Sequence, residues 1–255
     1  MQLNYKVFGS GQPIVILHGL FGMLDNLQLL ARKLEQAGYM VYLVDQRDHG
    51  KSPHTEVFNY EVLAEDLNQF LEDNWLHQAI LIGHSMGGKT AMQFVSHYTA
   101  DIRKLIIVDI APKAYPGGHE PVFDALLSID LAVLTSRNDA EEILLSKLND
   151  TGTVQFLMKN LSRQKEGGFE WKMNLPLLYQ SYQNILSEIK TDHPVELDVL
   201  FIKGELSGYI LDSDKADILK KFPDAKFEII PDAGHWVHAD APEALYQSVI
   251  RFIET

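Results

Sequence analysis

A serine hydroxyl attacks a carbonyl carbon only when a neighbouring base accepts its proton. A chain built for that chemistry must therefore hold a serine at an accessible, constrained point. Gly83-His84-Ser85-Met86-Gly87 has that form: it fits G-x-S-x-G between an apolar run, Ala79–Ile82, and a helical stretch starting near Lys89. Small residues on both sides permit a sharp strand-to-helix turn that lifts the serine above a sheet. The helix start beneath it supplies a positive dipole end, which favours negative charge developing on a substrate oxygen. Chance matches to so short a pattern occur, and the flanking strand and helix set this one apart. Ser85 is the expected nucleophile.

The expected base is His235, in Asp232-Ala-Gly-His-Trp-Val-His-Ala-Asp-Ala-Pro-Glu243. It follows the last strand-like segment and precedes the final helix, so its loop can swing over the sheet edge that carries Ser85. Among the ten histidines, His238 reads as packing or capping. His84 should point away from the reaction centre, and His49 shapes a polar turn. An anionic tetrahedral intermediate also needs fixed donors. One is the Met86 N–H; the other comes from His18-Gly19-Leu20-Phe21-Gly22, with Leu20 first and Phe21 second, because glycines let that backbone approach closely. The acid that orients the imidazole is less clear-cut. Three residues past the glycine of Lys203-Gly204-Glu205-Leu206-Ser207-Gly208-Tyr209 stands Ser207, which cannot carry the charge, and Glu205 beside it is aimed differently. Asp109, at the end of Val108-Asp109-Ile110-Ala111-Pro112, reaches the same sheet edge and is preferred to Glu205. A plain capping or loop role is the alternative for Asp109. Phe21, Trp171, Tyr209 and Trp236 are candidates for an acyl pocket, although each also reads as ordinary core.

These residues need a scaffold. Pro13–Leu17, Met40–Val44, Ala79–Ile82, Lys104–Val108, Val199–Ile202 and Lys226–Ile230 read as buried strands, with Leu3–Phe8 at an edge. Leu24–Ala37, Tyr60–Asn74, Lys89–Tyr98, Asp214–Phe222 and Pro242–Glu254 read as helices between them. That alternation predicts an α/β fold with a mostly parallel sheet flanked by helices. It breaks after Asp109. From Ala111 to about Pro194 no strand is evident, only helical stretches at Val122–Leu127, Asp139–Leu148, Val154–Asn160 and Leu177–Ile189, separated by Gly117-Gly118 and Gly167-Gly168. The expected division is 1–110 with 195–255 as core and 111–194 as a helical cap, inserted before the penultimate strand as part of one structural domain. Such a cap would cover the carboxyl ends of the strands, where ligands bind in open α/β sheets, and its paired glycines would serve as hinges.

Composition narrows the classes of function. The chain has 255 residues, 46% hydrophobic and 22% charged, which suits one globular domain. With no cysteine, thiolate catalysis, disulfides and cysteine-held metals are excluded, and the chemistry above requires no metal or organic cofactor. A formal charge of −13 argues against nucleic acid as a partner, because phosphate binding needs a basic patch. No apolar run is long enough for a membrane span. The first strand begins too near Met1 for a signal peptide, and a cytoplasmic protein is expected.

HGLFGMLDN, DQRDHGKS, GHSMGGKTAM, VDIAPKAY, FEWKMNLPLL, DHPVELDVLFIKGELSGYI and DAGHWVHADAPE together resemble the YbfF-like esterases, bacterial relatives of a mitochondrial abhydrolase in the α/β-hydrolase superfamily. The resemblance spans nearly the whole chain, cap included. It implies the α/β-hydrolase fold and hydrolysis of acyl esters or thioesters, acyl-CoA compounds among them. It also implies that Asp109 supplies the acid while Ser207 assists the histidine. Glu205 departs from the pattern, standing where relatives look like glycine, and a second carboxylate there would compete with Asp109. The expected activity is that of a serine carboxylic-ester hydrolase working through an acyl-enzyme. Its rivals are an acyl-CoA thioesterase, a carbon–carbon bond hydrolase with the same triad, and a ligand receptor with negligible turnover. Oligomeric state is not legible in the sequence.

Overall fold

The computed structural model describes residues 1–255. The chain begins with Tyr5–Phe8 (β1), Pro13–Leu17 (β2), Gln28–Gln36 (α1) and Met40–Val44 (β3). Tyr60–Asp73 (α2), Ala79–His84 (β4), Met86–Val95 (α3) and Ile102–Val108 (β5) follow. A long excursion then holds Glu120–Leu127 (α4), Arg137–Leu148 (α5), Thr151–Met158 (α6), Leu161–Arg163 (β6), Phe169–Trp171 (β7), Leu175–Gln180 (α7) and Tyr182–Leu186 (α8). The chain returns through Val199–Gly204 (β8), Lys215–Lys221 (α9), Lys226–Ile230 (β9), Val237–Asp240 (α10) and Pro242–Glu254 (α11).

Seven strands form one sheet in the order β1-β3-β2-β4-β5-β8-β9. Only the edge strand β1 runs antiparallel to its neighbour; every other pairing is parallel. Parallel strands buried on both faces need apolar side chains in both directions, and the sequence supplies them. Ile14, Ile16, Ile80, Ile82, Ile106 and Val108 meet Leu30 and Leu34 of α1 and Leu245 and Val249 of α11. The alternate positions Val15, Leu17, Leu81, Leu105, Ile107 and Phe201 face the side of α2, α3 and α9. Each such fully buried side chain contributes roughly 1.5–3 kcal/mol before its entropic cost. No helix is long and apolar enough to cross a membrane.

The excursion between β5 and β8 is held at its turns by side-chain caps. Ser136 and Asp139 form a reciprocal capping box at the start of α5, and Asp150 accepts the Gly152 and Thr153 N–H groups at the start of α6. Two details depart from the expectation of helices alone. β6 and β7 pair as a small antiparallel hairpin outside the main sheet, and Gly167 and Gly168, expected as hinges, form its turn at φ 99 and 84. The helix expected over Leu177–Ile189 starts earlier and is broken at Ser181 into α7 and α8. Phe123, Leu126, Leu144, Leu157 and Leu178 of the excursion belong to the same apolar core as Leu81, Leu105 and Ile107 of the sheet. Its last turn is also tied down, since Tyr60 Oη donates to Ile185 O (2.7 Å) and Asn184 Nδ2 to Phe58 O (3.1 Å).

Candidate active site

Ser85 sits between β4 and α3 at φ 52 and ψ −122, a conformation that costs a non-glycine residue of order 1–3 kcal/mol. The surroundings hold it there. Its N–H donates to Val108 O of β5 (3.0 Å), and its carbonyl accepts Gly88 N–H (2.8 Å). The flanking glycines are obligatory for packing. A Cβ on Gly87 would stand 2.6 Å from the Leu17 and His18 carbonyl oxygens, and one on Gly83 would overlap the Gly87 carbonyl.

Three side chains then line up. His235 Nε2 lies 3.0 Å from Ser85 Oγ, and His235 Nδ1 lies 2.8 Å from Asp109 Oδ2. With Nδ1–H donating to the carboxylate, Nε2 presents a lone pair to the serine. Asp109 closes β5 in a left-handed conformation (φ 54) and is wholly buried. A buried carboxylate must be compensated: Gly204 N–H donates to Oδ1 (3.0 Å), and the Ser207 hydroxyl donates to Oδ2 beside the imidazole. Ser207 Oγ in turn accepts Tyr209 N–H (3.2 Å). The Tyr209 ring stacks on the His235 imidazole with centroids 3.7 Å apart and planes inclined by 15°. Glu205 is turned elsewhere. Its exposed carboxylate accepts Asp232 N–H (3.1 Å), so the competing carboxylate expected from the sequence does not approach the imidazole.

The His18–Gly22 loop passes directly over Ser85, because a Cβ on Gly19 would be 3.1 Å from Ser85 Cβ. Leu20 N–H has no acceptor within the protein. Met86 is the first residue of α3, so the helical ladder gives its N–H none either. Residues that sequence reasoning missed fix the loop. Gln46 N–H donates to His18 Nε2 (3.0 Å), which leaves His18 Nδ1–H to donate to Gly19 O (2.8 Å). Burial pushes His18 down to about 4, so this tautomer stays neutral. Asn160, from the excursion, donates Nδ2–H to Phe21 O (2.7 Å). Phe21 itself takes a left-handed backbone (φ 59). No local sequence signal marks Asn160, since its partner lies 139 residues away.

Two cavities share this centre. One, of about 340 Å³, is lined by Leu20, Phe21, Val122, Phe156, Leu157 and Trp236 as well as Ser85 and His235. The other, of about 280 Å³, runs from Ser85 past Tyr60, Lys89, Tyr115 and Ile185. Tyr209 and His119 border both. Two expectations need correcting. Trp171 lines neither cavity: it lies opposite Leu161 in the β6–β7 hairpin and packs half-buried against the core. His84 does not point away. Its ring lies 5.0 Å from that of His235, and its Nε2–H donates to His235 O (2.8 Å), holding the histidine loop. Burial, and the neighbouring His238 and His235, keep the His84 pKa well below the usual histidine range. His238 borders the first cavity against the same ring, with centroids 4.8 Å apart.

Known proteins share this arrangement of chain. A family model for the alpha/beta hydrolase fold matches residues 12–128. The chain is similar to "Esterase YbfF" of Escherichia coli, 38% identical over 96% of this chain and 94% of that protein. It is 36% identical to "sn-1-specific diacylglycerol lipase ABHD11" of Danio rerio, over 100% of this chain and 83% of that one. Among solved structures, a marine microorganism esterase superposes with a TM-score of 0.96 at 41% identity, covering 98% of this chain and 99% of that chain. The chain belongs to the α/β-hydrolase family, within its branch of YbfF-like esterases.

Proposed function

We propose that the protein is a serine carboxylic-ester hydrolase acting through an acyl-enzyme, with Ser85 as nucleophile, His235 as general base and acid, and Asp109 as the orienting carboxylate. The continuous contact from Ser85 Oγ through His235 to Asp109 carries this reading. As Ser85 Oγ bonds to the ester carbonyl carbon, its proton passes to His235 Nε2 and the carbonyl π electrons move onto oxygen. Leu20 and Met86 N–H groups hold that oxyanion. The intermediate collapses, the bond to the leaving oxygen breaks, and His235 returns the proton to it as alcohol departs. Water then repeats the sequence against the acyl-serine, giving a carboxylic acid and free Ser85.

Asp109 and the Ser207 hydroxyl stabilise the imidazolium formed in each half. The excursion at 111–194 acts as a cap, and Phe21 and Trp236 border the space for the acyl or alcohol arm. An acyl thioester would follow the same steps. The test is a panel of p-nitrophenyl esters and acyl-CoA thioesters, together with an alkyl fluorophosphonate probe. Labelling at Ser85 that is lost on boiling and absent in Ser85→Ala, with turnover lost in the same variant, supports the proposal. Ser85→Ala within tenfold of wild type would overturn it, because losing the nucleophile removes the covalent route entirely.

A further inference from the structure

Lys89 is an odd residue to find where it is. All ten residues of α3 are buried, and Lys89 is only 1% exposed. No carboxylate pairs with it. Its Nζ donates to Ser187 O (2.5 Å) and, at longer range, to Leu186 O (3.4 Å), at the end of α8. The Tyr115 and Tyr60 rings flank it with centroids 4.8 and 5.6 Å from Nζ. Carbonyls at a helix end and two aromatic faces are favourable neighbours for an ammonium, but none neutralises it. A buried cation without a counter-ion is costly, and burial lowers this one to about 7, with Glu188 raising it and Lys113 lowering it further. An ammonium has three N–H donors, and the two carbonyls engage two of them.

The third has no acceptor within the protein. Lys89 lines the second cavity together with Ser85 and Met86, and it lies in the first turn of α3, the helix that Ser85 precedes. The three helical steps from Met86 to Lys89 rise about 4.5 Å, a distance that a short carbon chain spans. The first cavity has no comparable cation; its lining holds four histidines besides His235 — among them His18, His84 and His238, which burial keeps neutral — and Asp240. The two chambers that meet at the serine are therefore chemically unlike, one lined by histidines, an acid and apolar side chains and one ending in an unpaired ammonium between tyrosines.

We infer that the second cavity is an anion-binding subsite, and that the enzyme's preferred substrates are esters one arm of which ends in a carboxylate that docks on Lys89. This rests on the hydrolase reading above and adds the substrate class to it. Lys89 is then a specificity-determining residue that touches substrate but moves no proton in the reaction. The carboxylate would accept the free N–H and supply the missing countercharge, a charge-assisted contact stronger than a neutral one.

The experiment compares pairs of esters matched in length. For the acyl arm, mono-ethyl succinate, glutarate and adipate are set against the corresponding methyl-ended esters and terminal amides. For the alcohol arm, acetyl 4-hydroxybutyrate is set against butyl acetate. The readout is the ratio of kcat/KM for the carboxylate to that for its neutral partner, in wild type, Lys89→Met and Lys89→Arg. A ratio cancels any general loss of folded or active enzyme. Wild type should prefer the acid in one of the two arms, and that arm identifies which side of the ester enters the cavity. Lys89→Met should lower the preferred ratio by about tenfold to a hundredfold, the range of a hydrogen bond to a charged group, and Lys89→Arg should retain most of it. A ratio unchanged in Lys89→Met, or terminal amides hydrolysed as well as acids, would overturn the inference while leaving the hydrolase reading intact. Wild type that hydrolyses none of these esters would overturn that reading instead.

Discussion

Asp109→Asn is the sharpest test of the proposed relay, because the contacts of this carboxylate dictate how the amide must sit. Asparagine tolerates the left-handed backbone that Asp109 adopts (φ 54), so the change keeps the shape. Of the two oxygens, Oδ1 accepts Gly204 N–H, whereas Oδ2 faces His235 Nδ1 and the Ser207 hydroxyl. An amide with its NH2 toward Gly204 would set donor against donor in a buried site, at a cost of about 1–3 kcal/mol. The Ser207 hydroxyl, in contrast, can rotate to accept. The amide nitrogen therefore turns toward the imidazole and makes Nδ1 an acceptor. The ring proton then sits on Nε2, where it blocks transfer from Ser85 Oγ. The corresponding change in a serine protease costs about 10⁴-fold in turnover, and a loss of about 10³-fold or more, roughly 4 kcal/mol of barrier, is expected here. The assay is kcat/KM on p-nitrophenyl butyrate, with Glu205→Gln as the companion variant expected to stay near wild type. Asp109→Asn within tenfold of wild type, or a crippled Glu205→Gln, would refute the reasoning.

Ser207→Ala removes one donor to Asp109 without disturbing the tautomer, so kcat should fall by about tenfold to a hundredfold, the worth of a hydrogen bond to a charged group; a loss as deep as that of Asp109→Asn would show a larger role. Acid should weaken the fold. Burial holds His18 at about 4 and His238 at about 4, whereas an unfolded chain protonates histidine near 6.5. Below pH 6.5 the unfolded state therefore binds more protons, and stability falls as pH drops toward 4, with His18 alone contributing about 3 kcal/mol. Urea midpoints at neutral pH and near pH 4.5 measure this, and equal midpoints would contradict it. Asn160→Ala should raise KM less than it lowers kcat, because the Phe21 carbonyl it holds belongs to the loop proposed to meet the oxyanion; an effect on KM alone would refute that placement.

The inner strands were legible because burial on both faces demands continuous apolar runs; Pro13–Leu17 and Met40–Val44, and the half-exposed edge strand Lys226–Ile230, begin and end where the sequence pattern places them. Helix α3 begins at Met86 rather than near Lys89. Gly87 and Gly88 look like helix breakers, and only the tight approach of neighbouring backbone and of Ile110 explains their presence in a first helical turn. The β6–β7 hairpin leaves no signal in the sequence because each strand is three residues long, too short for any alternation to register. Trp171 is not distinguishable from a pocket residue for a different reason: aromatic character marks burial, and burial in a hairpin looks the same in sequence as burial in a pocket. The orientation of His84 follows its bond to the His235 carbonyl, 151 residues away, which no local residue pattern encodes. Lys89 did leave a trace, as a lone charge in the small and apolar stretch GGKTAM.

The shared core of excursion and sheet has a practical consequence for anyone wishing to alter specificity. Swapping the whole excursion between relatives is an attractive shortcut, because its ends lie in consecutive strands of the scaffold. Here the cut would divide one continuous apolar core: Phe123, Leu144, Leu157 and Leu178 would leave the cluster that also holds Leu105 and Ile107. Grafts would inherit mismatched volumes and lose the Asn160 tether to Phe21. Point changes along the cavity walls, at Val122 or Phe156, leave that masonry standing and are the safer route to a new substrate range.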